Sequence, residues 1–149
     1  MQGLESVRSR LRFESLDCEA TRGGSCDVTV HLEWNGDTYR ATEAGLETRQ
    51  GIIKAATQAA LSAALSAALS ATLSATLSAA SNEVHLQLVG VKAVRAFDGW
   101  VVIVRLSGEG PKYQRLLGAV PCETEEELPR TAVQAVLAAT NRVLGRGLV

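Results

Sequence analysis

The side chains that could perform chemistry in this chain are few and widely spaced. The soft metal ligands and strong nucleophiles are three cysteines and two histidines, namely Cys18, Cys26, Cys122, His31 and His85. Because no Cys-x-x-Cys pair is present, we predict neither a zinc site nor a disulfide framework, and we interpret the cysteines as reduced. The chain also lacks a Gly-x-Ser-x-Gly nucleophile elbow and a Gly-Lys-Ser/Thr phosphate loop. We therefore expect no catalytic residue, no bound metal, no cofactor and no enzymatic activity.

The remaining candidates for ligand binding are two loops that precede predicted helices. Helix N-termini present free N–H groups that can bind an anion or a carboxylate. Gly45 and Thr48 lie in the first of these loops, and Gly118 and Thr124 lie in the second. Ordinary helix capping is the alternative interpretation, and the three acids that follow Thr124 weigh against an anion at the second loop.

The elements that must position these loops form an internal duplication. Apolar and polar residues alternate over residues 28–32, and the apolar residues Val28, Val30 and Leu32 recur 74 positions later as Val102, Val104 and Leu106. This alternation is typical of strands with one buried face. Asn35-Gly36 and Asp98-Gly99 each predict a tight hairpin turn, since Asn-Gly and Asp-Gly tolerate positive φ.

Each half therefore predicts three antiparallel strands followed by a helix. The two βββα units span residues 10–81 and 84–145 of a single α+β domain that covers residues 1–149. We expect the second helix to begin between residues 125 and 129, because Thr124-Glu-Glu-Glu127 fits a capping box.

The first helix contains a low-complexity stretch over residues 55–80. Its unit is Leu-Ser-Ala-Ala or Leu-Ser-Ala-Thr, and its leucines are Leu61, Leu65, Leu69, Leu73 and Leu77. A four-residue step drifts by about 40° per repeat on a helix, so the stripe is no coiled-coil heptad. We interpret it as a tandem expansion whose leucines form a surface for self-association, as a dimer or a larger homo-oligomer. The many Ser and Thr residues disfavour a membrane span.

Composition excludes other classes of protein. Apolar residues make up 46% of the 149 residues but aromatic residues only 4%, because the low-complexity stretch is rich in alanine. The formal net charge is −1, which argues against a nucleic-acid binder that neutralises phosphates. No apolar leader follows Met1, so we expect a cytoplasmic location and no membrane partner.

Several segments resemble a known family. They are residues 28–36, 39–45, 101–106, 117–118 and 135–142, the last reading Ala-Val-Leu-Ala-Ala-Thr-Asn-Arg. Over residues 10–145 the chain resembles the C-terminal regulatory (dimerisation) domain of 2-isopropylmalate and citramalate synthases. The resemblance implies a duplicated βββα fold, dimerisation, and binding of a small branched amino or keto acid. Where the family carries Gly-x-Gly-Pro-Val-Asp-Ala, this chain matches only at Gly45.

Two hypotheses of function follow from these observations. The first is a non-enzymatic, self-associating module that senses a small ligand, as the resemblance implies. The alternative is a structural shell, filament or scaffold protein that uses the alanine-rich helix as a packing surface.

Overall fold

The chain folds into two successive βββα units. The computed structural model describes residues 10–75, 85–109 and 115–147. The first unit contains β1 (Arg12–Thr21), β2 (Ser25–Trp34), β3 (Asp37–Leu46) and α1 (Arg49–Ala75). The second contains β4 (Leu86–Ala96), β5 (Gly99–Gly108), β6 (Leu116–Cys122), a 3-10 turn (Glu125–Glu127) and α2 (Leu128–Gly147). The predicted α+β class and the duplicated βββα order are confirmed.

Each unit has its own antiparallel sheet. The strand orders are β1-β2-β3 and β4-β5-β6, so β2 and β5 are the central strands. On β2, the predicted alternation is confirmed, because Val28, Val30 and Leu32 are fully buried while their neighbours are partly exposed. The buried side chains of both units form one continuous core.

Each helix contacts both sheets. α1 packs mainly on β2 and β3 and also contacts α2 and β4, whereas α2 packs on β5 and β6 and also contacts β1. α1 is therefore enclosed on several sides, which a helix of small side chains accommodates. Its buried alanines are Ala55, Ala56, Ala59, Ala60, Ala63, Ala64, Ala67 and Ala68.

One side chain ties the two ends of the fold together. The Asn141 Oδ1 atom accepts a hydrogen bond from the Leu11 N–H at 3.0 Å, and its Nδ2 atom donates to the Leu11 carbonyl at 3.3 Å. The amide thus pairs with the backbone as a neighbouring strand would, and it joins α2 to the start of the edge strand β1.

The structure corrects the predicted boundaries at two places. The second hairpin turns at Phe97 and Asp98, with φ of 55° and 60°, and not at Asp98-Gly99. Ala96 pairs with Gly99, which moves the turn back by one residue. The strand expected over residues 112–118 extends further, to Cys122, while residues 112–114 lie outside the described part. The helix that contains the low-complexity stretch begins at Arg49. Residues 76–81 lie outside the described part.

A glycine substitution tests the close approach of α2 to its sheet. A Cβ atom added at Gly118 would lie 1.9 Å from the Ala135 carbonyl oxygen, so Gly118→Ala must push helix and strand apart. We expect the free energy of unfolding, measured by urea denaturation, to fall by about 1–3 kcal/mol. Gly90→Ala is the matched control, because a Cβ there meets nothing within 4 Å. Equal stability of the two variants would contradict the close packing.

Candidate functional site

The loop before α1 is closed by its own helix cap. The Thr48 Oγ1 atom accepts a hydrogen bond from the Gly51 N–H at 3.0 Å, and the Thr48 carbonyl accepts one from the Ile52 N–H at 2.9 Å. Thr48 is therefore the N-cap of α1. Its hydroxyl already satisfies one of the N–H groups that an anionic ligand would use.

The loop before α2 is filled by a carboxylate of the same chain. The Glu127 Oε1 atom accepts hydrogen bonds from the Thr124 N–H at 3.0 Å, the Glu123 N–H at 3.1 Å and the Thr124 hydroxyl at 3.1 Å. The backbone N–H groups of Thr124 and then Glu123 lower the pKa of the Glu127 carboxyl. The capping box expected at Thr124 is confirmed.

Both predicted site glycines lie where a strand passes close to a helix. A Cβ atom at Gly45 would lie 2.7 Å from the Gly51 carbonyl oxygen, within the first turn of α1. Gly118 stands in the same relation to Ala135 of α2. All four predicted ligand-binding residues thus have an intramolecular role, either in capping or in close packing.

The structure nevertheless brings the two loops together. The Arg49 guanidinium bonds to the Glu125 carboxylate at 2.7 Å, with the two side chains 53% and 56% exposed. These residues are 76 positions apart, the same offset that aligns Thr57 of α1 with Val133 of α2. They therefore occupy equivalent positions in the two units. An exposed pair of this kind contributes at most about 1 kcal/mol, so its main effect is on position.

A tryptophan and a second arginine complete this cluster. The Arg49 and Arg95 guanidinium carbons lie 5.1 Å and 5.3 Å from the centroid of the Trp100 ring. Arg95 pairs with Trp100 across β4 and β5, and Trp100 is 8% exposed. Within residues 10–70, 85–109 and 115–141, no carboxylate forms an ion pair with Arg95. We call Arg49, Arg95, Trp100 and Glu125 the arginine–tryptophan cluster.

The arginine–tryptophan cluster can hold a small carboxylate. Guanidinium groups bind carboxylates through paired N–H donors, and the indole adds an apolar wall. Sequence reasoning placed the loops but did not select these residues. One signal was available, since Arg49 lies in the first turn of a helix, where a cation is unfavourable unless an acid compensates it.

The predicted self-association leucines have different environments. Leu61 is 4% exposed and belongs to the core of the single chain, and Leu65 is partly buried against it. Leu69 is 47% exposed. Among the leucines of this stripe whose side chains the structure describes, it is the one that faces solvent. The side chain of Leu73 and the whole of Leu77 lie outside the described residues.

The soft ligands identified in the sequence are not clustered for metal binding. Among the described residues, no group of three or more His, Cys, Asp or Glu side chains could hold a metal ion. His31 contacts the Ser15 hydroxyl at 3.1 Å on an outer sheet face. All three cysteines are free thiols, with Cys18 exposed, Cys122 partly exposed and Cys26 buried.

One helical segment, Arg49–Ser70, is long and apolar enough to cross a membrane by length and composition. This segment is 61% buried inside the fold. A core helix of a soluble protein meets the same criteria, so the finding is weak evidence for a membrane span.

Comparisons with known proteins give no family assignment: no family model and no curated protein matches the chain. The relation to the synthase regulatory domains stays a prediction from the sequence.

The Glu127 cap makes stability depend on pH. Because its pKa is lowered in the folded chain, the ionised carboxylate stabilises the fold above the unfolded pKa. This contribution is lost as the pH falls through the folded pKa. We expect Glu127→Gln to lower the melting temperature near neutral pH, and the difference from the unmodified chain to shrink as the pH falls through the folded pKa.

Glu126→Gln is the matched control for this prediction. It removes the same charge from the same turn but leaves the three hydrogen bonds to Glu127 in place. Equal losses in the two variants, measured by thermal denaturation across pH, would show that net charge and not the cap is responsible.

Proposed function

We propose that the chain is a non-enzymatic module that associates with a second copy of itself through the outer face of its second sheet. We propose further that a small carboxylate bound at the arginine–tryptophan cluster regulates this association. The observation that carries the proposal is a difference between the outer faces of two sheets that are otherwise built alike.

The outer face of the first sheet is polar. By strand register it presents Ser15, Asp17, Glu19, Asp27, Thr29, His31, Arg40, Thr42 and Ala44, with Leu46 as a single large apolar side chain at the end of β3. Its side chains bond to one another, as Thr29 and Thr42 do at 2.8 Å. A face of this composition is suited to water and needs no cover.

The outer face of the second sheet is mainly apolar. By the same register its central part presents Lys92, Val94, Val101, Ile103, Arg105, Leu117, Ala119 and Pro121, and Gln87 and Ser107 add polar side chains at the end far from the hairpin turn. Leu117 is 50% exposed and Val94 is 38% exposed. Phe97, in the adjoining hairpin turn, is 94% exposed. We call the eight residues Lys92, Val94, Val101, Ile103, Arg105, Leu117, Ala119 and Pro121 the second outer face.

The duplication supplies an internal control for this difference. Asp27 and Thr29 on β2 correspond to Val101 and Ile103 on β5, 74 positions later. The equivalent strand folds with polar residues at these positions, so the βββα unit does not require apolar ones. Contiguous exposed apolar side chains of this kind mark contact surfaces.

A second copy of the chain is the partner that we propose for the second outer face. Two sheets pack face to face at about 10 Å when both faces are apolar, and the second outer face supplies such a surface on each copy. A two-fold symmetric dimer, in which both copies use the same patch, is the commonest homo-oligomer. The resemblance to a dimerising regulatory domain supports the same occupant.

The sensing part of the proposal is supported by the convergence of the two helix-entry loops. Arg49 and Glu125 join the loops, and Arg95 adds a cation without an acid partner among the described residues. A carboxylate bound between the two arginines would compete with Glu125 for Arg49. Such competition would change how the two units contact each other at this point.

A structural role as a shell, filament or scaffold subunit is the second candidate. One observation favours it: α1 exposes Leu69 on a surface that is separate from the second outer face. Two different contact surfaces on one chain permit open assemblies, whereas one self-complementary surface closes into a dimer.

The polar residues of the first sheet can be transferred to the second to test the interface. We expect the Val101→Asp, Ile103→Thr double variant to fold but to associate at least about 10-fold more weakly, equivalent to about 1.4 kcal/mol. Light scattering coupled to size exclusion measures the assembly, and circular dichroism checks the fold.

Asp27→Asn, Thr29→Ser on the first sheet is the matched control and should leave association unchanged. A monomeric wild-type chain at high concentration, or an unaltered assembly of the double variant, would refute this interface. Large assemblies that shrink to dimers on Leu69→Ser would favour the scaffold.

Ligand binding is tested with branched-chain amino acids and their keto acids. A bound ligand raises the melting temperature, since saturation at 100 times the dissociation constant stabilises the fold by about 2.7 kcal/mol. We expect this rise for the unmodified chain and its loss in Arg95→Ala.

Arg40→Ala, which removes an arginine from the first sheet, should retain the rise in melting temperature. A flat response of the unmodified chain at millimolar ligand would refute the sensing role but leave the self-association proposal standing.

A further inference from the structure

The first hairpin places two cysteines beside each other. In the β1–β2 register, Cys18 pairs with Val28 and Cys26 pairs with Ala20. Paired residues of antiparallel strands point to the same side, so both thiols lie on the helix-facing side of the sheet, on adjacent strands. They are diagonal neighbours, because Cys26 lies two residues before Val28, the residue that pairs with Cys18. Burial raises the pKa of the Cys26 thiol, and the neighbouring Cys18 thiol adds to this effect.

The two thiols differ in their access to solvent. α1 covers β2 and β3, and α2 reaches β1 from the side of Asn141 and Leu11. The far end of β1 is therefore left open, and Cys18 is exposed there. Cys26 has no exposed surface, and its thiol donates to the Leu46 carbonyl at 3.9 Å. A small reagent can thus react with the Cys18 thiol directly, whereas the buried Cys26 thiol reacts by exchange with the modified Cys18.

We propose that Cys18 and Cys26 are a redox-modification site, which closes to an intramolecular disulfide by exchange with a low-molecular-weight disulfide of the glutathione class. This site is independent of the self-association proposed above.

The exchange has two balanced steps. The Cys18 thiol loses its proton to water, and its thiolate attacks one sulfur of the small disulfide, forming a mixed disulfide and releasing one small thiolate. The Cys26 thiol then attacks the Cys18 sulfur, and its proton passes to the second small thiolate as that thiolate leaves. The protein thiols lose two electrons in total, the small disulfide gains them, and the two released thiolates take up two protons.

The position of the pair makes the disulfide reversible. Diagonal strand neighbours lie about 7–8 Å apart, beyond the roughly 4.4–6.8 Å between Cα atoms that a disulfide usually spans, so the β1 backbone must move toward β2 to close the bond. The Gly23-Gly24 turn between the two cysteines, with φ of 82° and 76°, lies next to the segment that must shift. Strained disulfides of this kind are the more easily reduced ones.

Closing the bond also breaks a contact that reaches the first helix-entry loop. The Cys26 thiol that donates to the Leu46 carbonyl is consumed, and Leu46 is the last residue of β3 before that loop. The redox state of the hairpin is thereby connected to the segment that carries Thr48 and Arg49.

The test uses the purified full-length chain and oxidised glutathione. After incubation, free thiols are alkylated and the protein is analysed by intact mass and peptide mapping. We expect a species two hydrogens lighter than the reduced chain, with a Cys18–Cys26 linked peptide that dithiothreitol removes. Cys122 is the last residue of β6, and its thiol donates to the Thr124 carbonyl at 3.6 Å. We expect it to take no part in the disulfide.

Three variants make the outcome decisive. Cys122→Ser should form the disulfide as the unmodified chain does. Cys26→Ala should stop at one glutathione on Cys18, and Cys18→Ser should form no intramolecular link at all. A stable glutathione adduct on Cys18 of the unmodified chain, or a link that involves Cys122, would overturn the proposal. Because Cys18 is exposed, we expect Cys18→Ser to fold. It therefore tests the proposal even if Cys26→Ala, at a buried position, does not fold.

Discussion

The structure depends on the close approach of two helices to two sheets. α1 is contacted by its own sheet, by α2 and by β4, so few of its side chains can be large. Alanines fill most of its buried positions, and Gly45 and Gly118 remove the Cβ atoms that would otherwise collide with the helix backbones. The short distances around α1 leave little volume for large side chains along this helix, which is where the alanines are concentrated.

The same constraint organises the ends of the helices. Since both helices lie close together, their N-terminal loops meet, and Arg49 reaches Glu125 at the equivalent position of the other unit. Thr48 accepts a hydrogen bond from the Gly51 N–H, and Glu127 accepts from the Thr124 and Glu123 N–H groups, so both loops use side chains of the same chain as caps. What stays available is the side-chain chemistry of Arg49, Arg95 and Trp100, in which two cations flank a buried ring.

Duplication then allowed the two units to diverge where packing does not constrain them. The inner positions of β2 and β5 are apolar in both units, because both must cover a helix. The outer positions carry no such requirement, and they are mainly polar on the first sheet and mainly apolar on the second. The cysteine pair of the first hairpin is likewise confined to one unit, since Trp100 stands at the position equivalent to Cys26.

The sequence by itself determined the local structure of this protein. Alternation over residues 28–32 identified the first central strand, and the 74-residue repeat of its apolar positions identified the second. Asn35-Gly36 identified a turn, and Thr124 with Glu127 identified a helix start. These features depend on neighbouring residues, whose preferences are readable along the chain. Only the tertiary structure decided which helix surfaces are enclosed, why Leu61 is buried while Leu69 is exposed, and which side chains meet at Arg49. Contacts such as Arg49 with Glu125, or Asn141 with Leu11, join residues far apart in the chain, and no local preference encodes their distance.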